Sequence, residues 1–291
     1  MIRSVITLCA ALLLAVAASS AQQPPAPEAP AVELRWFDRV EPALEEARAS
    51  KRLVFVDLYA DWCGWCKKLD DDVFSTPDFA RLADRFVLLR VDVEDRGEGM
   101  RLQDRFRATS LPTALVIDPD QVLIGSVRGY FPASTFIRKI ESEVIHYESF
   151  MDGYYRDVES QDPQILRNLA EALRQRFDGA RAADLYRRLL EHDKLALEGR
   201  PWLELLFADA LRLAGDLDEA KKAIAAVSTE DPRLAEAVGV FRIRLANDQR
   251  DCAGADNAVA SFATNYPTSR FLPEAKHTLK RLRSDQTADC S

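Results

Sequence analysis

The sequence predicts two domains of different class: an α/β domain over residues 32–147, then a connecting helix at 148–160, then an all-α domain of repeated helices over 161–291. Three observations carry this. Dense runs of strand-forming apolar residues alternate with helical spacings as far as residue 147. After about Ser160 the strand signals stop. In the second half Asp178, Ala182 and Tyr186 recur as Asp216, Ala220 and Ile224, and again as Asp251, Ala255 and Val259, at intervals of 38 and 35 residues. A chain of 291 residues has room for both domains.

In the first domain a short strand is expected around Leu34–Trp36 and a helix over Glu41–Ala49. Leu53–Tyr59 reads as a strand buried on both faces, because its apolar residues do not alternate with polar ones. Cys63–Val73 has helical spacing, and Pro77 opens a second short helix. A strand over Phe86–Val93 and a helix over Met100–Phe106 follow. Thr113–Ile117 and Val122–Val127 are strands joined by the Asp118-Pro119-Asp120 turn, hence an antiparallel hairpin. Pro132 starts the last helix, which continues either unbroken to Val158 or as two pieces around Gly153.

In the second domain each repeated Ala lets paired helices approach, and a large apolar residue one turn later fills the space beside it. Repeats of this length stack into curved surfaces. Asn265–Ser269 reads as a turn, with a final helix over Phe271–Leu282.

Arg3, the apolar run Val5–Val16 and the small residues Ser19, Ser20 and Ala21 have the layout of a secretory signal peptide over 1–21. Pro24, Pro25, Pro27 and Pro30 make 22–31 an extended leader. Export, to the periplasm in a Gram-negative bacterium, is therefore expected. The net charge of -8 argues against nucleic acid as a partner.

Export also changes how the cysteines are read. Cys63, Cys66, Cys252 and Cys290 remain after the signal, an even number for a compartment that permits disulfides. Cys63 and Cys66 follow a strand and open a helix. A disulfide can close across that spacing, and helix N–H groups stabilise a thiolate on the first sulfur. The first cysteine attacks a substrate disulfide and the second resolves the mixed disulfide. Cys252 and Cys290 bracket the last helical hairpin and are expected to staple it. A zinc site is disfavoured: no second closely spaced cysteine pair exists, and His146, His192 and His277 are scattered. No metal or cofactor is expected.

On Tyr59-Ala60-Asp61-Trp62-Cys63-Gly64-Trp65-Cys66-Lys67, residues 32–147 resemble the thioredoxin family, and among its members the thioredoxin-like proteins grouped with the periplasmic domain of a transmembrane thiol reductant carrier. The resemblance implies a thioredoxin fold and a thiol–disulfide oxidoreductase. It makes Asp57 the buried acid that moves a proton at Cys66, and Leu111-Pro112-Thr113 a cis-proline loop that binds substrate backbone beside Trp62, Gly64 and Trp65. Gly129 holds the bend before the last helix. Arg90 stands where many members carry Lys, which leaves its ion pair open. Trp65 replaces the usual Pro, which implies a more oxidising couple.

The repeats likewise resemble tetratricopeptide repeats. The expected partners are disulfide-containing proteins, with a membrane thiol reductant carrier as electron donor. A different reading is an interaction adaptor whose α/β domain only supports the repeats.

Overall fold

The computed structural model of the protein describes residues 34–191, 199–288 and 290. The expected signal peptide and leader lie outside these residues. No described helix is long and apolar enough to cross a membrane.

The first domain is a five-stranded sheet between two helical layers. Its strands are β1 (Trp36–Phe37), β2 (Leu53–Tyr59), β3 (Phe86–Asp92), β4 (Thr113–Ile117) and β5 (Leu123–Arg128), in the order β1-β3-β2-β4-β5. β1 and β2 run parallel to β3, while β4 is antiparallel to both β2 and β5. The central strand β2 is therefore covered on both faces, which explains its unbroken apolar run.

Side chains alternate along β2 and divide the core in two. Phe55 points into an aromatic cluster with Trp36, Phe74, Phe79, Phe86 and Phe136. Val54, Val56 and Leu58 point the other way, against Ala43, Leu44 and Leu102. These come from α1 (Val40–Ser50) and α4 (Glu98–Arg105). On the aromatic face lie α2 (Gly64–Leu69), a π-helical turn (Asp70–Phe74), α3 (Pro77–Ala83) and α5 (Ala133–Asp157). The expected helix over 63–73 is thus an α-helix that widens into a π turn. α5 runs through Gly153 without a break.

Among the described residues seven further helices follow: α6 (Pro163–Gln175), α7 (Gly179–Leu190), α8 (Arg200–Ala214), α9 (Leu217–Ala226), α10 (Pro232–Asp248), α11 (Cys252–Asn265) and α12 (Leu272–Ser284). The repeated sequence positions acquire a physical meaning here. Asp178, Asp216 and Asp251 are the N-cap residues of α7, α9 and α11. Ala182, Ala220 and Ala255 are fully buried one turn later, and Tyr186, Ile224 and Val259 are buried one turn beyond. Trp202 lies at the surface, with its indole N–H donating to Asp231.

The helical region grips the α/β domain at two places. The turn after α6 inserts Phe177 against Phe106, and the Arg176 carbonyl accepts from the Leu123 amide at 2.8 Å. At the far end, Arg281 of α12 donates to Asp104 and to the Met100 carbonyl of α4.

Candidate functional site

β2 ends at Tyr59, and the next turn delivers Cys63 to the N-cap position of α2. The Cys66 amide donates to the Cys63 sulfur at 3.1 Å. Cys63 and Cys66 are joined in a disulfide with a Cα–Cα distance of 5.2 Å. Both cysteines are almost fully buried, whereas the flanking Trp62 and Trp65 are 68% and 58% exposed. The redox pair therefore sits in a dip between two projecting indoles. A Cβ at Gly64 would meet nothing within 4 Å, so the approach between those indoles is open.

The Trp65 ring is held. Its centroid lies 5.4 Å from that of Tyr130. Tyr130 donates to Asp72 at 2.5 Å, and Lys68 pairs with the same carboxylate at 2.6 Å while lying over the Tyr130 ring. Gly129 adopts φ +84, a conformation that favours glycine, and so aims Tyr130 across the site. The Gly129 amide donates to the Pro112 carbonyl at 2.8 Å, tying this bend to the neighbouring loop. Lys68, two residues after Cys66, is thus engaged with Asp72. Sequence reasoning missed Tyr130 and Asp72; a Tyr directly after the bend glycine was the available signal.

The Leu111–Pro112 peptide is cis. Thr113 is completely buried, and its hydroxyl donates to the Ser110 carbonyl at 2.7 Å, so its side chain braces the loop.

Asp57 shares the β2 face of Phe55, under α2 and the π turn. It is 1% exposed, and neither carboxylate oxygen accepts a hydrogen bond within the described residues. Arg90 Nε stands 3.2 Å from Asp57 Oδ2, so the ion pair left open by the Lys-to-Arg departure is formed, though without hydrogen-bond alignment. The two terminal guanidinium nitrogens instead make a bidentate pair with Asp70 at 2.8 and 2.6 Å. Burial raises the Asp57 carboxyl to about 7; Arg90 pulls it down and Asp70 pushes it further up. A buried acid in that range can hold or release a proton near neutral pH.

Cys252 and Cys290 lie far along the chain from this site and are disulfide-bonded to each other, with a Cα–Cα distance of 5.4 Å.

A family model described as thioredoxin-like matches residues 35–119. Over 79 residues the chain is 39% identical to a thiol:disulfide interchange protein DsbD of Pseudomonas fluorescens, covering 27% of this chain and 14% of that protein. Over 127 residues it is 29% identical to a DsbD of Vibrio vulnificus, covering 43% of this chain and 21% of that protein. The chain therefore spans at most about a fifth of the length of these relatives. Among solved structures, a DsbH oxidoreductase matches at 19% identity and a TM-score of 0.37, covering 42% of this chain and 94% of that one. The oxidised C-terminal domain of Neisseria meningitidis DsbD matches at 23% identity and a TM-score of 0.32, covering 38% of this chain and 99% of that one. Residues 35–119 form a thioredoxin-like domain, followed by a helical region.

Proposed function

We propose that the chain is an exported thiol–disulfide oxidoreductase acting on disulfide-containing proteins. The observation that carries this reading is the Cys63–Cys66 disulfide at the start of α2, inside a thioredoxin-like domain whose strand β2 carries a buried acid with no hydrogen bond.

In the reduced protein the Cys63 thiolate, stabilised by the Cys66 amide, attacks one sulfur of a substrate disulfide and expels the other as a thiol. Asp57 takes the proton from Cys66. The Cys66 thiolate then attacks Cys63, releases the second substrate thiol and restores the Cys63–Cys66 disulfide. Two electrons have passed to the substrate, and two more must be returned by a dithiol donor. The similarity to DsbD proteins supports a membrane thiol reductant carrier in that role. The indoles of Trp62 and Trp65 and the loop Leu111-Pro112-Thr113 form the surface on which substrate backbone would lie.

The helical region is read as tetratricopeptide-like and as a docking surface. The recurring N-cap aspartates and the buried alanines one turn later support that reading. The segment at 1–21 supports export.

The test is insulin reduction by the full chain with a dithiol donor. Activity is expected in the wild type and absent in Cys63→Ser, while Cys66→Ser accumulates a mixed disulfide on Cys63. If wild type and Cys63→Ser behave alike, the chain is an adaptor and the oxidoreductase reading fails.

A further inference from the structure

Outside the site just described, the described residues carry one more redox-capable group. It is placed where the chain end crosses between the two regions. α12 ends at Ser284, and the segment that follows does not trail into solvent. Asp285 is buried; its carboxylate accepts from Arg101 of α4 at 3.2 Å and from Arg250, just before α11, at 2.9 Å. The Gln286 amide donates to the Arg96 carbonyl at 3.0 Å, and Arg101 also reaches the Thr287 hydroxyl at 2.9 Å. Residues 285–287 therefore bridge the thioredoxin-like domain and the helical region. Three residues further on, Cys290 is bonded to Cys252, the first residue of α11.

We propose that Cys252–Cys290 is a redox latch, which fastens residues 285–287 as a strap against α4 when oxidised and frees them when reduced.

The argument rests on how the strap is held. Its contacts to α4 are polar. Asp285 keeps only 4% of its side-chain surface exposed, but Arg101 and Arg250 keep 37% and 34%, so the guanidinium side of each pair stays open to water. A short segment held by a few such contacts opens locally more readily than the packed elements beside it. The covalent link changes this by confining the strap beside its partners, so that each pair re-forms as an intramolecular event. The link is also reachable. Cys290 is exposed and Cys252 half-exposed, whereas Cys63 and Cys66 are almost fully buried.

Reduction is a two-electron exchange with a dithiol. One thiolate of the dithiol attacks the exposed Cys290 sulfur, and Cys252 departs as a thiolate from the start of α11. The second thiol of the donor then closes the donor's own disulfide and releases Cys290 as a thiol. The element so unloaded is α4, and the chain leaving α4 runs through residues 106–111 into the Leu111–Pro112 loop. The latch thus couples the redox state of the chain end to the support beneath the substrate loop. It does not depend on the chemistry of Cys63.

The test uses the full chain in graded dithiothreitol, quenched by alkylation and read by peptide mass, together with hydrogen exchange of the wild type and Cys290→Ser. Cys252 and Cys290 should be unlabelled without reductant and become labelled while the protein remains folded. In Cys290→Ser, with no reductant present, exchange at the Gln286 amide and over 285–287 should accelerate about tenfold or more while β2 and β4 stay unchanged. Three results would overturn the proposal: both thiols labelled before reduction, labelling only after denaturation, or exchange over 285–287 unaltered in Cys290→Ser. Cys63–Cys66 is intact throughout the exchange arm, so its outcome is independent of whether the chain reduces insulin.

Discussion

Arg90 places its Nε 3.2 Å from Asp57 but gives its two terminal nitrogens to Asp70, so the buried carboxylate has a counter-charge and no hydrogen bond. Burial dominates, and the carboxyl rises from 3.8 to about 7. The native protein then holds a proton that the unfolded chain has lost at any pH between those values, so stability falls as pH climbs through that window. Asp57→Asn should accordingly stabilise the oxidised protein at pH 8 by about 2–4 kcal/mol and leave it nearly unchanged at pH 3. Urea unfolding at the two pH values checks this. Equal effects at both would show that burial of the charge is not the cause.

Asp70 bears on the same proton from the other side. Its charge pushes Asp57 up, and its hold on the guanidinium fork keeps Arg90 from turning both terminal nitrogens to Asp57. Asp70→Asn should lower the pH at which Asp57 ionises, whereas Arg90→Met should raise it. Carboxyl-region infrared titration of the oxidised protein reads this directly. The pH–rate profile of insulin reduction should move in the same directions.

These two relationships also mark where the sequence stops being legible. β2 and β4 could be bounded within a residue, because a strand covered on both faces reads as a nearly continuous run of strand-forming residues. Cys63, Cys66 and Asp57 stood out because their spacing is local. The repeated Asp-Ala pattern was visible because an N-cap and a close helix contact each restrict residue type. The Arg90–Asp70 clamp was not visible: it joins residues 20 positions apart by a pairing that any Arg and Asp could make. Tyr130 over Trp65 depends on the bend at Gly129, and the strap at Asp285 on tertiary placement of Arg101, 184 residues away. The π turn at Asp70–Phe74 follows a helical apolar pattern and looks like plain helix in the sequence.

Trp65 sets a prediction for the couple itself. It occupies the place that Pro holds in reducing thioredoxins, and its indole leans on Tyr130. The Cys63–Cys66 couple should be less negative than the roughly -270 mV of thioredoxin, and Trp65→Pro should move it downward. Equilibration in glutathione buffers measures both. A wild-type value as low as thioredoxin's would refute the assignment of this effect to Trp65.

Gly179 and Gly64 make a contrast in what a glycine does. A Cβ on Gly179 would collide with the Ala214 amide, with the Ala210 carbonyl oxygen at 2.5 Å and with the Leu213 carbonyl carbon at 2.5 Å, all backbone of α8. Backbone in a packed helix cannot step aside, so Gly179→Ala must separate α7 from α8 and should cost about 1–3 kcal/mol. Gly64→Ala, with nothing within 4 Å, should change stability by less than about 0.5 kcal/mol. Denaturation followed by far-ultraviolet circular dichroism compares them; similar losses would mean that the α7–α8 approach is looser than described.

Asp209 of α8 lies between two guanidinium groups, accepting from Arg174 at 2.7 Å and from Arg212 at 2.9 and 3.0 Å, while Arg212 also pairs with Asp248. Burial works to raise its carboxyl, but Arg212 and Arg174 outweigh that and hold it below the ordinary range. Its stabilising contribution is present above the unfolded value near 3.8 and is lost as pH falls through the lower folded value. Removing the charge leaves Arg174 with Glu171 alone and Arg212 with Asp248 alone, so each buried guanidinium loses one of its two carboxylates. Asp209→Ala should therefore destabilise the helical region by about 1–3 kcal/mol at pH 7 and by less at pH 2, which is nearer the pH at which the wild-type carboxyl takes up its proton. Thermal unfolding at both pH values decides it: a loss that does not shrink in acid would assign the effect to packing at α8 instead of to the charge between Arg174 and Arg212.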